Sequence, residues 1–222
     1  MTRAELVNEF RLITQDQAKP YFFADSFIEQ WLVDAEAEAA IRGRLLHESQ
    51  NESICQIDVS PGTSVYALHP ALYELTHIAI RSQGASFREP VRLMSEEELD
   101  RTVNHWRDLA GKVRYAIQGD TTIRLVPSPD EAATLLLEGY RLPLSSVSTP
   151  SQKFEINPAH HRHLVFWALF RAFGIPDVET FDIGKAEDAE RAFTGYFGAR
   201  PDSDLRRITR EDVTHTTKVF FP

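Results

Sequence analysis

The sequence predicts an α+β fold: terminal α-helices forming a helical bundle, with an inserted antiparallel β-sandwich-like subdomain and an extended C-terminal tail. Three observations point there. Apolar residues recur at helical spacing near both ends of the chain, at Leu6, Phe10 and Ile13 and again at Ala186, Ala189 and Phe193. The middle, 53–142, is broken into short apolar runs separated by turn chemistry. Beyond Ser203 the periodicity fades. The expected division is a helical bundle domain from 1–50 and 150–200, an inserted β-rich subdomain over 51–149, and a C-terminal arm over 201–222.

The first helix is expected to open on a capping box, Thr2 with Glu5, and to end at Lys19-Pro20-Tyr21, because proline lacks the N–H that continues a helix. A second follows, capped by Asp25 or Ser26 and carrying Phe27, Ile28, Trp31, Leu32, Ala35 and Ala39 as an apolar stripe up to about Leu46. In the middle, Ser60-Pro61-Gly62-Thr63 reads as a tight turn joining strands 54–59 and 65–68 in a hairpin. Further strands are expected at 72–81, 87–93, 113–118, 122–126 and 135–142. One helix interrupts them, starting at the acidic turn Glu96-Glu97-Glu98 and running to about Leu109 with Leu99, Val103 and Trp106 aligned. After the Ser/Thr/Pro-rich link 145–151, Asn157 as N-cap and Pro158 at the first position open a helix that continues through Phe173 until Gly174-Ile175-Pro176 stops it. From Leu164 to Phe170 that helix is apolar all round, so it needs cover on more than one side, from its own fold or from another subunit. A last helix, from Asp182 to about Phe197, carries one stripe of Ala186, Ala189, Phe193 and Tyr196 or Phe197.

Composition narrows the function. The 222 residues are 42% hydrophobic and 26% charged, with 14 Phe, 6 Tyr and 3 Trp, a balance that supports a folded domain and not a disordered tail. No apolar run approaches the roughly 18 residues that cross a bilayer, and the first ten residues lack the pattern of a secretory leader, so no membrane partner and a cytosolic site of synthesis are expected. A single cysteine, Cys55, excludes an intrachain disulfide and a multi-cysteine zinc site, and reads as a small buried strand residue. The net charge of −9 argues against a protein that grips nucleic-acid phosphates.

Motifs for chemistry are scarce. His160-His161-Arg162-His163 is the densest candidate: on a helix, His160 and His163 share a face and could share a metal. Their spacing is not the four-apart pair with an intervening glutamate that metalloproteases use, and polar residues beside a helix start explain them more simply. No nucleophile elbow, phosphate loop or dinucleotide fingerprint is present, and the acidic runs sit where solvated helix faces are expected. The expectation is therefore a non-enzyme without catalytic residues, metal or cofactor; the alternative is a small cytosolic hydrolase or metal-binding enzyme using His160 and His163. Partner or subunit contacts are expected at Phe166, Trp167 and Phe170 on the apolar helix, at Arg206 and Arg207, and at Val219, Phe220 and Phe221, where two aromatic rings close a segment that would ordinarily be polar.

Three stretches carry a resemblance to a known family. They are Leu6-Val7-Asn8-Glu9-Phe10-Arg11 with the run from Asp25 to Ala35, the run from Val59 to Leu68 around Pro61-Gly62, and the run from Ile156 to Phe173 with Asp182 and Lys185 beyond it. Together they resemble the head-to-tail adaptor (connector) proteins of tailed phages, of the tail tubular protein A type, with His161 and Arg162 standing where an acidic or aromatic residue is more usual. The resemblance implies a structural protein in the virion neck, forming a homo-oligomeric ring of twelve copies between the portal protein and a tail nozzle or tail tube protein. Double-stranded DNA would pass through that ring without specific binding.

Overall fold

The computed structural model describes residues 1–145, 149–176 and 180–201, and it is an α+β protein. The chain divides into two compact units: a helical unit, Met1–His47 with Tyr140–Pro201, and a β-rich unit, Glu48–Gly139. Arg206, Arg207, Val219, Phe220 and Phe221 lie outside the described residues.

In the helical unit, α1 (Arg3–Thr14) starts where the Thr2 side chain accepts the Glu5 N–H while the Glu5 carboxylate accepts the Thr2 N–H. That reciprocal cap is worth about 1 kcal/mol. α2 (Asp25–Gly43) begins differently from expectation. Its N-cap is Ala24, with no side-chain cap, and Asp25 turns instead to Arg11. The reason lies in the Arg11 guanidinium, buried between Asp16 at 2.6 Å, Asp25 at 2.5 Å and the Phe23 carbonyl, with the Tyr21 ring 3.7 Å from its centre. A buried cation requires partners, and this demand outweighs the preference for capping.

α5 (Leu164–Phe173) and α6 (Ile183–Phe197) complete the unit, with Asp182 capping α6 through the Lys185 N–H. Leu6, Phe10, Ile28, Leu32, Leu164, Val165, Ala168 and Phe193 form the interior. Each fully buried Leu or Phe there contributes about 1.5–3 kcal/mol of hydrophobic stabilisation. Glu36 on α2 is buried and accepts the backbone N–H groups of Glu155 and Ile156, which ties the incoming segment to the bundle. Burial pushes its carboxyl pKa up, the two backbone donors working in the opposite sense.

The β-rich unit stacks two sheets over one apolar core. In the first, β9 (Ala133–Arg141) lies between β1 (His47–Glu48) and β4 (Leu72–Ser82); β2 (Gln56–Val59) also pairs β9 antiparallel, and β5 (Glu89–Pro90) pairs β4. The second runs β3 (Val65–Ala67), β8 (Thr122–Val126), β7 (Tyr115–Gln118), β6 (Arg92–Leu93), with β6 and β7 parallel. The expected hairpin is absent. β2 and β3 part at the Ser60–Thr63 turn and join different sheets. Gly62 there takes φ +78, and the Tyr66 hydroxyl braces the turn by accepting the Ser60 N–H and meeting the Ser60 and Thr63 carbonyls. β2 pairs along its whole length with the longer β9, and β3 along its whole length with β8.

Two further expectations are corrected. Cys55 ends a short helix, α3 (Glu52–Cys55), and is buried, so it is apolar filling as read but not in a strand. The next helix, α4 (Glu96–Thr102), stops at Val103, well before Leu109. Trp106 still reaches the core beside Leu99 and Val126, its indole N–H donating to Asp100, but it does so from a turn.

Gln118 joins the two sheets. Its buried side-chain amide accepts from the Leu75 N–H and donates to the Tyr73 carbonyl, serving the edge of β4 as a strand would. Gly139 is forced by proximity: a Cβ there would come within 2.3 Å of the Glu74 carbonyl oxygen.

Candidate interaction surface

The apolar helix α5 is where the sequence places most of the expected contact residues. Leu164, Val165, Ala168, Leu169 and Ala172 face the interior, while Phe166, Trp167, Phe170 and Phe173 are half-buried at its margin. The margin divides in two. Trp167 stands 5.3 Å from Phe170 and 5.1 Å from Phe193, ring centre to ring centre, with the Arg42 guanidinium 5.3 Å away. Among the described residues its enclosed indole N–H has no acceptor. Phe166 instead lines a groove of about 530 Å³, together with Ile13 at the end of α1, Leu169 and Phe173 of α5, and Ala189 and Ala192 of α6. The rim is charged: Lys185 pairs with Asp182 at 3.3 Å and lies over the Phe173 ring, and Asp188 pairs with Arg191 at 2.7 Å. The Lys185 N–H and side chain hold the Asp182 carboxyl below the usual range.

The histidine cluster is built for packing. Pro158–His163 forms a 3₁₀ turn in place of the expected first helical turn, opened by Asn157 accepting the Ala159 N–H. His160 Nδ1 lies 3.1 Å from the Tyr196 hydroxyl, and His163 stacks on the Tyr196 ring at 3.5 Å between centres. Burial, aided by repulsion from His160 and Arg162, lowers the His163 pKa and favours the neutral ring that stacks. His161 is fully buried, its Nε2 2.8 Å from the Ile156 carbonyl. Among the described residues, no group of three or more His, Cys, Asp or Glu is placed to hold a metal ion.

Sequence reasoning missed Arg42. Its side chain, only 6% exposed on α2, bonds Glu38 at 2.8 Å, Thr194 at 2.7 Å, and Glu190 and the Gly198 carbonyl at longer range. Arg200 also reaches Glu38, at 3.5 Å. The end of α6 and the residues leaving it are thereby fixed to α2. Glu38 and Arg42, four apart, were a visible i,i+4 pair, but that spacing alone reads as a solvated helix face.

Large apolar side chains are exposed on the helical unit at Leu12, Ile13, Phe22, Phe27, Phe181 and Ile183, while the β-rich unit exposes Val65, Phe87 and Leu109. No described helix is long and apolar enough to cross a membrane. What these features define is a structural class: an α+β protein with an aromatic margin, an apolar groove, and histidines engaged by a tyrosine and backbone carbonyls. Its sequence matches the family model of the SU10 adaptor protein over residues 1–217, and the chain belongs to that family of phage adaptor proteins. No curated protein matches it. The structural adaptor role is therefore the chain's general assignment.

Proposed function

We propose that the chain is a non-enzymatic subunit of a ring in the virion neck, twelvefold, docked on the portal protein and presenting its other face to a tail nozzle or tail tube protein. The observation that carries this reading beyond the family is the apolar groove between α1, α5 and α6, bordered by the half-exposed Ile13, since an apolar groove on a surface marks an interaction site. Phe166, which lines the groove, and Trp167 and Phe170 on the separate aromatic margin of α5 are proposed contacts, as are the Arg206–Arg207 pair and the 219–221 segment. The involvement of His160 and His163 with Tyr196 supports packing and not catalysis. A net charge of −9 repeated around a ring supports passage of DNA without adhesion.

Light scattering and negative-stain imaging test the reading, on the chain alone and mixed with portal rings. Rings, free or portal-bound, are expected. A chain that stays monomeric in the presence of portal overturns it, and so does a channel wall of strongly positive potential for the account of charge.

A further inference from the structure

The α1/α5/α6 groove is apolar within and charged at its rim, and among the described residues of the helical unit nothing fills it. We infer that the groove of one copy receives Val219, Phe220 and Phe221 from a second copy, so that neighbouring subunits are joined by exchanged C-terminal arms. This rests on the reading of the chain as a member of a ring.

The match begins with chemistry. The lining supplied by Ile13, Phe166, Leu169, Phe173 and Ala192 suits aromatic rings, and about 530 Å³ is within the range of roughly 300–1,000 Å³ that accommodates compact apolar ligands. Lys218 directly precedes the apolar run, and the exposed carboxylate of Asp188 stands on the groove rim with the complementary charge. Small residues on α6, Ala189 and Ala192, leave the space that large ones would close.

The reach of the arm extends beyond its own groove to that of a neighbouring copy in the ring. Lys185 and Asp188, at the start of α6, border the groove, whereas the arm departs from the other end of the same helix. Those two ends are about 18 Å apart at 1.5 Å per residue. The departure point is held in place by Arg42 on the Gly198 carbonyl and by Arg200 on Glu38. From there, residues 202–218 can span about 55–60 Å when extended, roughly three times what a return to the same groove requires. A leader of that length fits a bridge between subunits, and arm exchange uses a contact surface already present on every copy.

The probe is a synthetic peptide of residues 214–222, titrated into the full chain carrying Phe220→Ala and Phe221→Ala. Saturable binding is expected, weakened about tenfold or more by Ile13→Glu, an exposed position whose change leaves the bundle folded, and lost with a peptide that has both phenylalanines replaced by alanine. Binding indifferent to all of these changes overturns the inference. Phe221→Cys chains mixed with Ile13→Cys chains should form a disulfide-linked pair that neither forms alone; a doubly substituted chain that closes on itself, with no linked pair in the mixture, overturns exchange in favour of the arm's own groove. Imaging of the same samples separates the two readings. Rings without linkage or peptide binding overturn arm exchange and leave the adaptor ring standing; linkage without rings, even on portal, sustains the exchange and overturns the ring.

Discussion

The two units hold themselves together by different means. In the helical unit the polar residues buried as a whole are Arg3, Arg11, Asp16, Glu36, Glu38, Arg141 and His161; in the β-rich unit Gln118 alone is so among the described residues. Sheets satisfy their backbone groups through ladders between strands, so their core can be nearly all apolar. A bundle assembled from two distant pieces of chain has helix ends and joining segments whose N–H and C=O groups have no ladder. Glu36 on the Glu155 and Ile156 N–H groups, His161 on the Ile156 carbonyl and Arg11 on the Phe23 carbonyl meet that need. The contrast teaches that buried charge in this molecule marks joints between segments, and that the apolar positions of the sheets carry the other unit.

The largest effect should come from removing one joint. Arg11→Ala leaves Asp16, almost fully buried, facing the gap; chemical denaturation is expected to show a loss of about 3–5 kcal/mol, with hydrogen exchange rising first in α1 and α2. In the β-rich unit the comparable loss requires an apolar change: Leu125→Ala, on the buried face of β8, should cost about 2–5 kcal/mol and raise exchange in β7 and β8 before the helices. Uniform exchange through both units after either change would break the comparison. A smaller loss, about 1–3 kcal/mol, is expected from Gln118→Leu, because the Leu75 N–H and Tyr73 C=O lose their partner inside the sandwich; a neutral result would mean that this amide is not a joint.

The smallest effect is one of pH. Burial raises the Glu36 carboxyl pKa, so above the ordinary value of 4.5 the unfolded chain gives up its proton before the folded one does. The folded state therefore loses stability as pH rises from about 4.5 through the folded-state pKa. Glu36→Gln removes that term while its carbonyl oxygen can still accept both backbone N–H groups, so urea midpoints of the variant, relative to the parent, should rise with pH over that window. A flat difference sharpens the comparison in the other direction, by showing that the two backbone donors offset burial, and a falling one would show that they outweigh it.

Much of the helical unit was legible because its signals are local. Thr2 with Glu5, Asn157 before Pro158, and Asp182 before α6 each cap the element that they announce. Strands 72–82 and 122–126 were likewise visible as apolar runs between turns. What escaped was decided at long range. β2 and β3 flank a good turn, yet their partners are β9 and β8, far along the chain. α4 has helical apolar spacing as far as Trp106, but the indole is served by Asp100 and the Arg107 side chain stacks on it, which suits a turn. On the surface, α5 could be recognised as apolar all round, but only the packing of Phe193 against Trp167 and of Ile13 and Phe173 beside Phe166 separates an aromatic margin from a groove.

The fastening of α6 to α2 has a mechanical meaning. Tension applied along the chain beyond Pro201 meets the Arg42 contact with the Gly198 carbonyl and the Arg200 contact with Glu38 before it reaches the hydrogen bonds of the helix itself. The load is handed sideways to α2, whose Arg42 and Glu38 side chains are bonded to each other and little exposed. Several bonds must then yield together in shear, where a frayed helix end would peel one turn at a time. A subunit tethered through this segment shares the load between α6 and α2.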